Sequence, residues 1–233
     1  VEHAIDLVET QGMSALRSYL QRLKDEAASD AGSKASRDIV SSEHFQRLFD
    51  EAKAVKAEHP KMSRVMGVVA RQLADHPESR ILVFTHYRDT CDLVANKLGK
   101  VEGAKVAKLV GQADSKGEKG LKQKDQVGVL QRFRDGEFNV LVATSVGEEG
   151  LDVASTDLVI FYEPVPSEIR SIQRRGRTGR SRAGSVVIFI TRGTRDEAYY
   201  YSSLNKEKAM RRRLETMKDE LGGATETKPK GQS

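Results

Sequence analysis

Eight residues, Gln173-Arg-Arg-Gly-Arg-Thr-Gly-Arg180, place four arginines among two glycines. Arginine offers a planar fork that is always charged and suits phosphate oxygens. Glycine lets backbone approach a ligand or a facing domain closely. Arg177 and Arg180 are three residues apart, so on a helical turn they face the same way. Two guanidinium groups aimed at one point suit the charge that develops on a transferring phosphoryl group. The competing reading is a basic surface helix with no ligand. Around the octet, residues 170 to 182 hold six arginines and no acid. Phosphate is therefore the expected partner chemistry.

Three further segments place polar residues just after an apolar run. Val140-Leu-Val-Ala-Thr144 reads as a buried strand, followed by Ser145 and a glycine-flanked acidic turn through Gly150 and Asp152. Hydroxyls and free N–H groups at such a strand end can bind a nucleic-acid phosphate. Ile81-Leu-Val-Phe-Thr85 is a second strand, ending in Thr85, His86, Tyr87 and Arg88. Asp89 and Thr90 are expected to cap the helix that follows. A lone histidine in such a place is usually structural, and His86 gains weight only from its neighbours. Val110-Gly111-Gln112 closes a third run and opens a lysine-containing loop that also carries acids, so an ordinary solvated loop is its alternative. Asp152 has an alternative as a turn cap. Glu148 and Glu149 suit salt bridges within or between domains, and so do Arg174 and Arg175.

The elements that must position these residues change along the chain. From Val1 to about Ala74 the apolar residues recur at helix spacing. Met13, Leu16, Leu20 and Leu23 form one stripe, Phe45, Leu48, Phe49, Ala52 and Val55 a second, and Val65, Met66, Val69 and Leu73 a third. Residues 27–37, rich in Ala, Ser, Gly and charge, read as a loop or disordered link. From Arg80 to about Thr191, short β-branched runs (81–85, 105–110, 140–144, 157–162 and 185–190) alternate with helical segments. Runs apolar on both faces are the mark of buried parallel strands. The pattern predicts a doubly wound, mainly parallel α/β sheet preceded by an all-helical segment. Ligands of such sheets bind at the carboxyl ends of strands, where the residues above lie. A long polar helix over about 195–220 and a disordered tail over 221–233 complete the reading.

The 233 residues suffice for one or two domains with a real core. Hydrophobic residues make up 38% and charged residues 31%, with a mild net charge of +5. Cys91 is the sole cysteine, which excludes a disulfide framework and cysteine-based zinc sites. No metal site is expected. No run is apolar enough to span a bilayer and no secretory signal is visible, so no membrane partner and a cytoplasmic, intracellular location are expected.

Read together, these segments resemble the fourth, fifth and sixth motifs of the superfamily-two helicases, in the expected order over about residues 60–215. The octet resembles the sixth motif position by position at Gln173, Gly176, Arg177, Gly179 and Arg180. The resemblance implies that Arg177 and Arg180 are arginine fingers reaching the γ-phosphate of ATP, and that Gln173 faces the nucleotide. It implies that Gly150 and Asp152 lie on the nucleotide side, with Asp152 on the ribose. It implies backbone contacts to nucleic acid from Thr85, His86, Tyr87, Arg88, Gly111, Gln112, Thr144 and Ser145. Val146-Gly-Glu-Glu-Gly-Leu-Asp152, Phe161-Tyr-Glu-Pro-Val-Pro-Ser167 and Gln173-Arg-Arg175 look like the archaeal Hef and Fanconi-anaemia fork helicases. Dicer and the RIG-I-like RNA sensors are cousins. In those families a helical insertion joins two RecA-like motor domains. Residues 1–74 are expected to be that insertion or part of it, and 75–220 the second motor domain.

A P-loop, G-x-x-x-x-G-K-[ST], does not occur, and neither does an Asp-Glu-x-His or Asp-Glu-Ala-Asp box. ATP and Mg2+ are therefore expected to be held mainly by a first RecA-like domain absent from this sequence. The fragment alone is expected to be inactive as an ATPase. Forked or branched DNA is the expected substrate of the whole protein. An RNA helicase or sensor, and a non-catalytic nucleic-acid-binding module, remain alternatives.

Overall fold

The computed structural model describes residues 1–111, 123–144, 156–164, 184–202, 204–205 and 209. The N-terminal part is a set of short helices. Helix α1 (Glu2–Thr10) and helix α2 (Met13–Ala28) are joined by a turn at Gly12, whose φ of 93° lies in the left-handed region. Glycine adopts that conformation without a steric penalty. Helix α2 continues to Ala28, and helix α3 (Lys34–Ser41) begins well inside the stretch expected to be a link. The cause is a cap: Ser33 Oγ accepts the Ser36 N–H at 3.0 Å, satisfying one orphan amide of the first turn. Ser42 does the same for helix α4 (Glu43–Ala54), accepting from Phe45 N–H at 3.2 Å.

Leu16, Leu20, Phe45, Phe49 and Ala52 form the core of this bundle, with Met13 and Leu23 packed against it. Two members of the second stripe turn outward, Leu48 at 39% and Val55 at 40% exposure. The third stripe lies on helix α5 (Pro60–Asp75), which starts at Pro60 under a cap from His59 Nδ1 to the Lys61 N–H. Its residues Met62, Val65, Val69 and Leu73 pack into the core of the sheet rather than into the bundle.

Among the described residues the sheet has five parallel strands in the order β2-β3-β1-β4-β5. These are β1 (Ile81–Thr85), β2 (Val106–Leu109), β3 (Val140–Thr144), β4 (Leu158–Phe161) and β5 (Ser185–Ile188). Between them lie helices α6 (Arg88–Leu98) and α7 (Gln123–Arg134). Strands β1, β3 and β4 are buried along their whole length, because both faces are covered. Their side chains alternate between two cores, as the two-residue period of a strand requires. Ile81, Val83, Val140, Val142, Leu158 and Ile160 face α5 and α6. Leu82, Phe84, Leu141, Ala143, Val159 and Phe161 face the other side, where Phe133 of α7 covers them and Phe84 stacks on Phe161 at 5.2 Å. Strands β2, β4 and β5 are one or two residues shorter than their apolar runs at one or both ends. At the start of β2 the Lys105 N–H is taken by a side chain, Asn139 Oδ1, at 2.7 Å. Residues 195–202, 204–205 and 209 are helical, the described part of the expected polar helix.

Candidate nucleic-acid interface

Parallel registers bring the ends of β1, β3 and β4 to one edge of the sheet. Thr85 pairs with Thr144, and Phe84 with Phe161. The chain crosses from β3 on one side of β1 to β4 on the other. Such a reversal opens a crevice outside the carboxyl ends of the strands, where doubly wound sheets bind ligands. Thr85, His86, Tyr87, Arg88, Gly111 and Thr144 all stand at this edge, so residues far apart in sequence are brought together as expected.

Their exposures differ. His86 is exposed, while Tyr87 and Arg88 are half-buried. Thr85 is fully buried, its hydroxyl turned toward the Tyr87 carbonyl at 3.4 Å. Thr144 is 3% exposed, and its hydroxyl has no hydrogen-bond partner among the described residues. An unpaired buried hydroxyl costs free energy, about 1–3 kcal/mol by protein mutational data. Arg88 donates to the carbonyl of buried Gly111 at 2.7 Å and so ties the loop after β1 to the loop after β2. Gln126 of α7 donates to the Val110 carbonyl at 3.0 Å, a second tie on the same loop. Asp89 and Thr90 do not cap α6, whose N-cap is Tyr87 without a side-chain bond. Asp89 pairs with Arg22 of α2, and the Thr90 hydroxyl donates to Gln11 Oε1 at 2.8 Å. Gln112, Ser145, Gly150, Asp152, Gln173, Arg177 and Arg180 lie outside the described residues.

Beside this edge lies a polar junction that residue spacing did not reveal. Glu163 follows β4 and is buried. Its Oε2 accepts Gln11 Nε2 at 2.9 Å, and its Oε1 accepts the His86 N–H. Burial pushes its carboxyl up to about 7, opposed by the bonds from Gln11 and His86 and by Lys61. Lys61 and Asp196 form an ion pair with both side chains nearly fully buried. Lys61 also donates to the Thr10 carbonyl at 3.2 Å, and Asp196 accepts the Thr191 N–H at 3.0 Å. A cavity of about 230 Å³ opens here, with Asp6, His86, Tyr87, Glu163, Arg195 and Tyr199 among its walls. Arg195 pairs with Asp6 and lies 5.4 Å from the Tyr199 ring centre. Desolvation at the cavity wall lowers the His86 imidazole below its ordinary value and raises the Tyr87 phenol. The one sequence hint of this junction was a pair of charged residues, Lys61 and Glu163, set beside apolar runs. Among the described residues no group of three or more His, Cys, Asp or Glu could hold a metal ion. No helix among them is long and apolar enough to cross a membrane.

Comparison with known proteins places this arrangement. Residues 61–182 match the helicase conserved C-terminal domain family, and residues 1–61 match a family described as putative ATP-dependent RNA helicase, helical bundle. The crystal structure of the Pyrococcus furiosus Hef helicase domain superposes with a TM-score of 0.66 at 51% identity, covering 86% of this chain and 41% of that one. The putative ATP-dependent RNA helicase MJ1505 of Methanocaldococcus jannaschii is 42% identical over 92% of this chain and 27% of its own length. The ATP-dependent DNA helicase mph1 of Aspergillus terreus is 36% identical over 88% of this chain and 20% of its own. The chain thus spans about a quarter or less of the curated relatives it matches. The matched residues and the sheet agree: the chain belongs to the helicase conserved C-terminal domain family, and it is similar to the Hef helicase domain and to Mph1.

Proposed function

We propose that this chain is the second motor domain, with part of a helical insertion, of an ATP-dependent DNA helicase or translocase that acts on forked or branched DNA. The observation that supports it most is the gathering of Thr85, His86, Tyr87, Arg88, Gly111 and Thr144 at the carboxyl edge of one parallel sheet. Contacts from such an edge reach the phosphate backbone, which suits a motor that moves along a strand without reading its sequence. The relation to a Hef helicase domain and to Mph1 favours DNA. The similarity to a protein named as a putative RNA helicase supports an RNA helicase or RNA sensor as the second reading.

Arg177, Arg180, Gln173, Gly150 and Asp152 are the residues proposed to face ATP, which with Mg2+ would be held mainly by a first RecA-like domain. Bound between the two domains, ATP would supply the γ-phosphoryl group whose hydrolysis reopens the cleft. In that reading Arg177 and Arg180 would stabilise charge on the γ-phosphate, Asp152 would accept a hydrogen bond from the ribose, and His86, Tyr87 and Arg88, the edge residues left at least partly exposed, would hold the nucleic-acid backbone meanwhile.

Titrating fluorescent single-stranded DNA, forked DNA and duplex RNA into this chain at two salt concentrations tests the binding. Sequence-independent affinity that weakens as salt rises is expected. Salt-insensitive binding with strong sequence preference would contradict it. The chain alone should show no ATPase activity. In the full-length protein Arg177→Ala and Arg180→Ala should each lower kcat by a large factor, on the scale of roughly 10³–10⁵ for arginine fingers, with little change in KM. Wild-type turnover by both variants would assign the basic octet to nucleic-acid binding instead.

A further inference from the structure

The loop from His86 to Thr90 is gripped almost entirely from outside its own strand and helix. The His86 N–H is held by Glu163, and the Tyr87 ring lies 6.4 Å from the His3 ring of α1. Asp89 is paired with Arg22 of α2, and the Thr90 hydroxyl is held by Gln11. Three of these four holds come directly from the N-terminal helices. The fourth comes through Gln11, whose amide donates to the carboxylate that binds His86.

Gln11 is 3% exposed and sits in the turn between α1 and α2. Its amide is used at both ends: Oε1 accepts from Thr90, and Nε2 donates to Glu163 and to Thr10 Oγ1 at 3.2 Å. Once ionised, above about 7, Glu163 has acceptors only and can hold two N–H donors at once, one on each oxygen. The turn that carries Gln11 is itself immobilised. Gly12 packs so tightly that an added Cβ would stand 2.8 Å from His59 Cβ, and His59 Nε2 lies 2.9 Å from the Glu9 carbonyl.

We propose that Gln11 is a positioning residue for nucleic-acid engagement: through Glu163 and Thr90 it makes the docked helical segment set the conformation of the loop 86–90 at the sheet edge. A displacement of the helical segment would release the His86 amide and the start of α6 together. The helical segment is thereby a regulator of the strand-gripping edge as well as a separate packing unit. This rests on the reading of His86 and Tyr87 as contacts to nucleic acid.

The test uses this chain with two readouts, exchange of single backbone amides and titration of fluorescein-labelled single-stranded DNA. Gln11→Met removes the amide and keeps the volume. It should speed exchange of the His86 amide at least tenfold, leave the amides of Val83 and Phe84 protected, and weaken DNA binding about tenfold. The paired exchange Gln11→Glu with Glu163→Gln reverses donor and acceptor. The amide at position 163 then donates to the carboxylate at position 11, which still accepts from Thr90. It should restore both readouts, and it keeps the idea falsifiable should Gln11→Met fail to fold. Undiminished protection of His86 in Gln11→Met overturns the proposal. So does a loosened His86 amide with unchanged DNA affinity, or a paired exchange that folds with a protected His86 and still binds weakly. If the wild-type chain binds no DNA, the functional reading itself falls, and the role given to Gln11 falls with it. That outcome is told apart by the wild-type titration alone.

Discussion

Replacing Lys61 with methionine isolates the energetics of the junction between the helical segment and the sheet. Methionine fills much the same space as the lysine stem, so packing against the Tyr162 ring, 5.3 Å from Nζ, is largely kept. What is lost is charge. Asp196, with a side chain only 4% exposed, keeps one bond from the Thr191 N–H and loses its cation, while the Thr10 carbonyl loses a donor. Removing one partner of a buried ion pair typically costs about 3–5 kcal/mol, because the remaining charge is desolvated and uncompensated. For a chain of this size that corresponds to a fall in Tm of about 6–20 °C. The double variant Lys61→Met with Asp196→Asn leaves no charge, and its amide oxygen still accepts from Thr191. It should recover more than half of the loss. Urea unfolding of the wild type, both single variants and the double variant gives the coupling directly. A Lys61→Met variant within about 1 kcal/mol of wild type, or strictly additive losses, would refute the claim that this pair is buried and mutually dependent.

Other expectations follow from the same structure. Glu163 holds its proton up to about 7 in the folded state, while the ordinary value is 4.5. Between these values the folded state binds a proton that the unfolded chain has released, so this carboxyl favours folding most below 4.5. Its contribution should fall as pH rises to about 7, by about 3 kcal/mol at most, then level off. Urea midpoints from pH 4 to 8 should show this slope in the wild type and not in Glu163→Gln; equal slopes would be a refutation. Cys91 is buried, its thiol donates toward the Val142 carbonyl at 3.5 Å, and burial raises its pKa to about 12. A thiol-specific disulfide reagent should leave it unmodified in the native chain and react once urea unfolds it; rapid native labelling would be the contrary result. Gly12→Ala should lower stability by about 1–3 kcal/mol, since φ is +93° and the added methyl meets His59; a Tm equal to wild type would show that the turn adapts.

Strands β1, β3 and β4 were legible because their burial on both faces demands continuous apolar residues. Val140–Thr144 has no other reading as part of a layered α/β fold. The stripe of α5 was equally visible, but spacing reveals a face and not what covers it. Val65 and Val69 proved to belong to the sheet core. The expected link over 27–37 shrank because a serine cap is a local signal easily lost in a polar stretch.

What the sequence by itself determined is the chemistry at the sheet edge and the order of its motifs. Types such as Thr85, Arg88 and Thr144 follow β-branched runs, and the rule that parallel strands end at one edge brings them together. Only tertiary structure decided which of them face outward. Thr85 and Thr144 are buried, and Arg88 is committed to the Gly111 carbonyl. Tertiary structure alone also joined Gln11 to Glu163, 152 residues away, and Lys61 to Asp196, 135 residues away. No periodicity encodes such pairs. A buried polar group must find a partner wherever packing puts one, and that partner is chosen in space rather than along the chain.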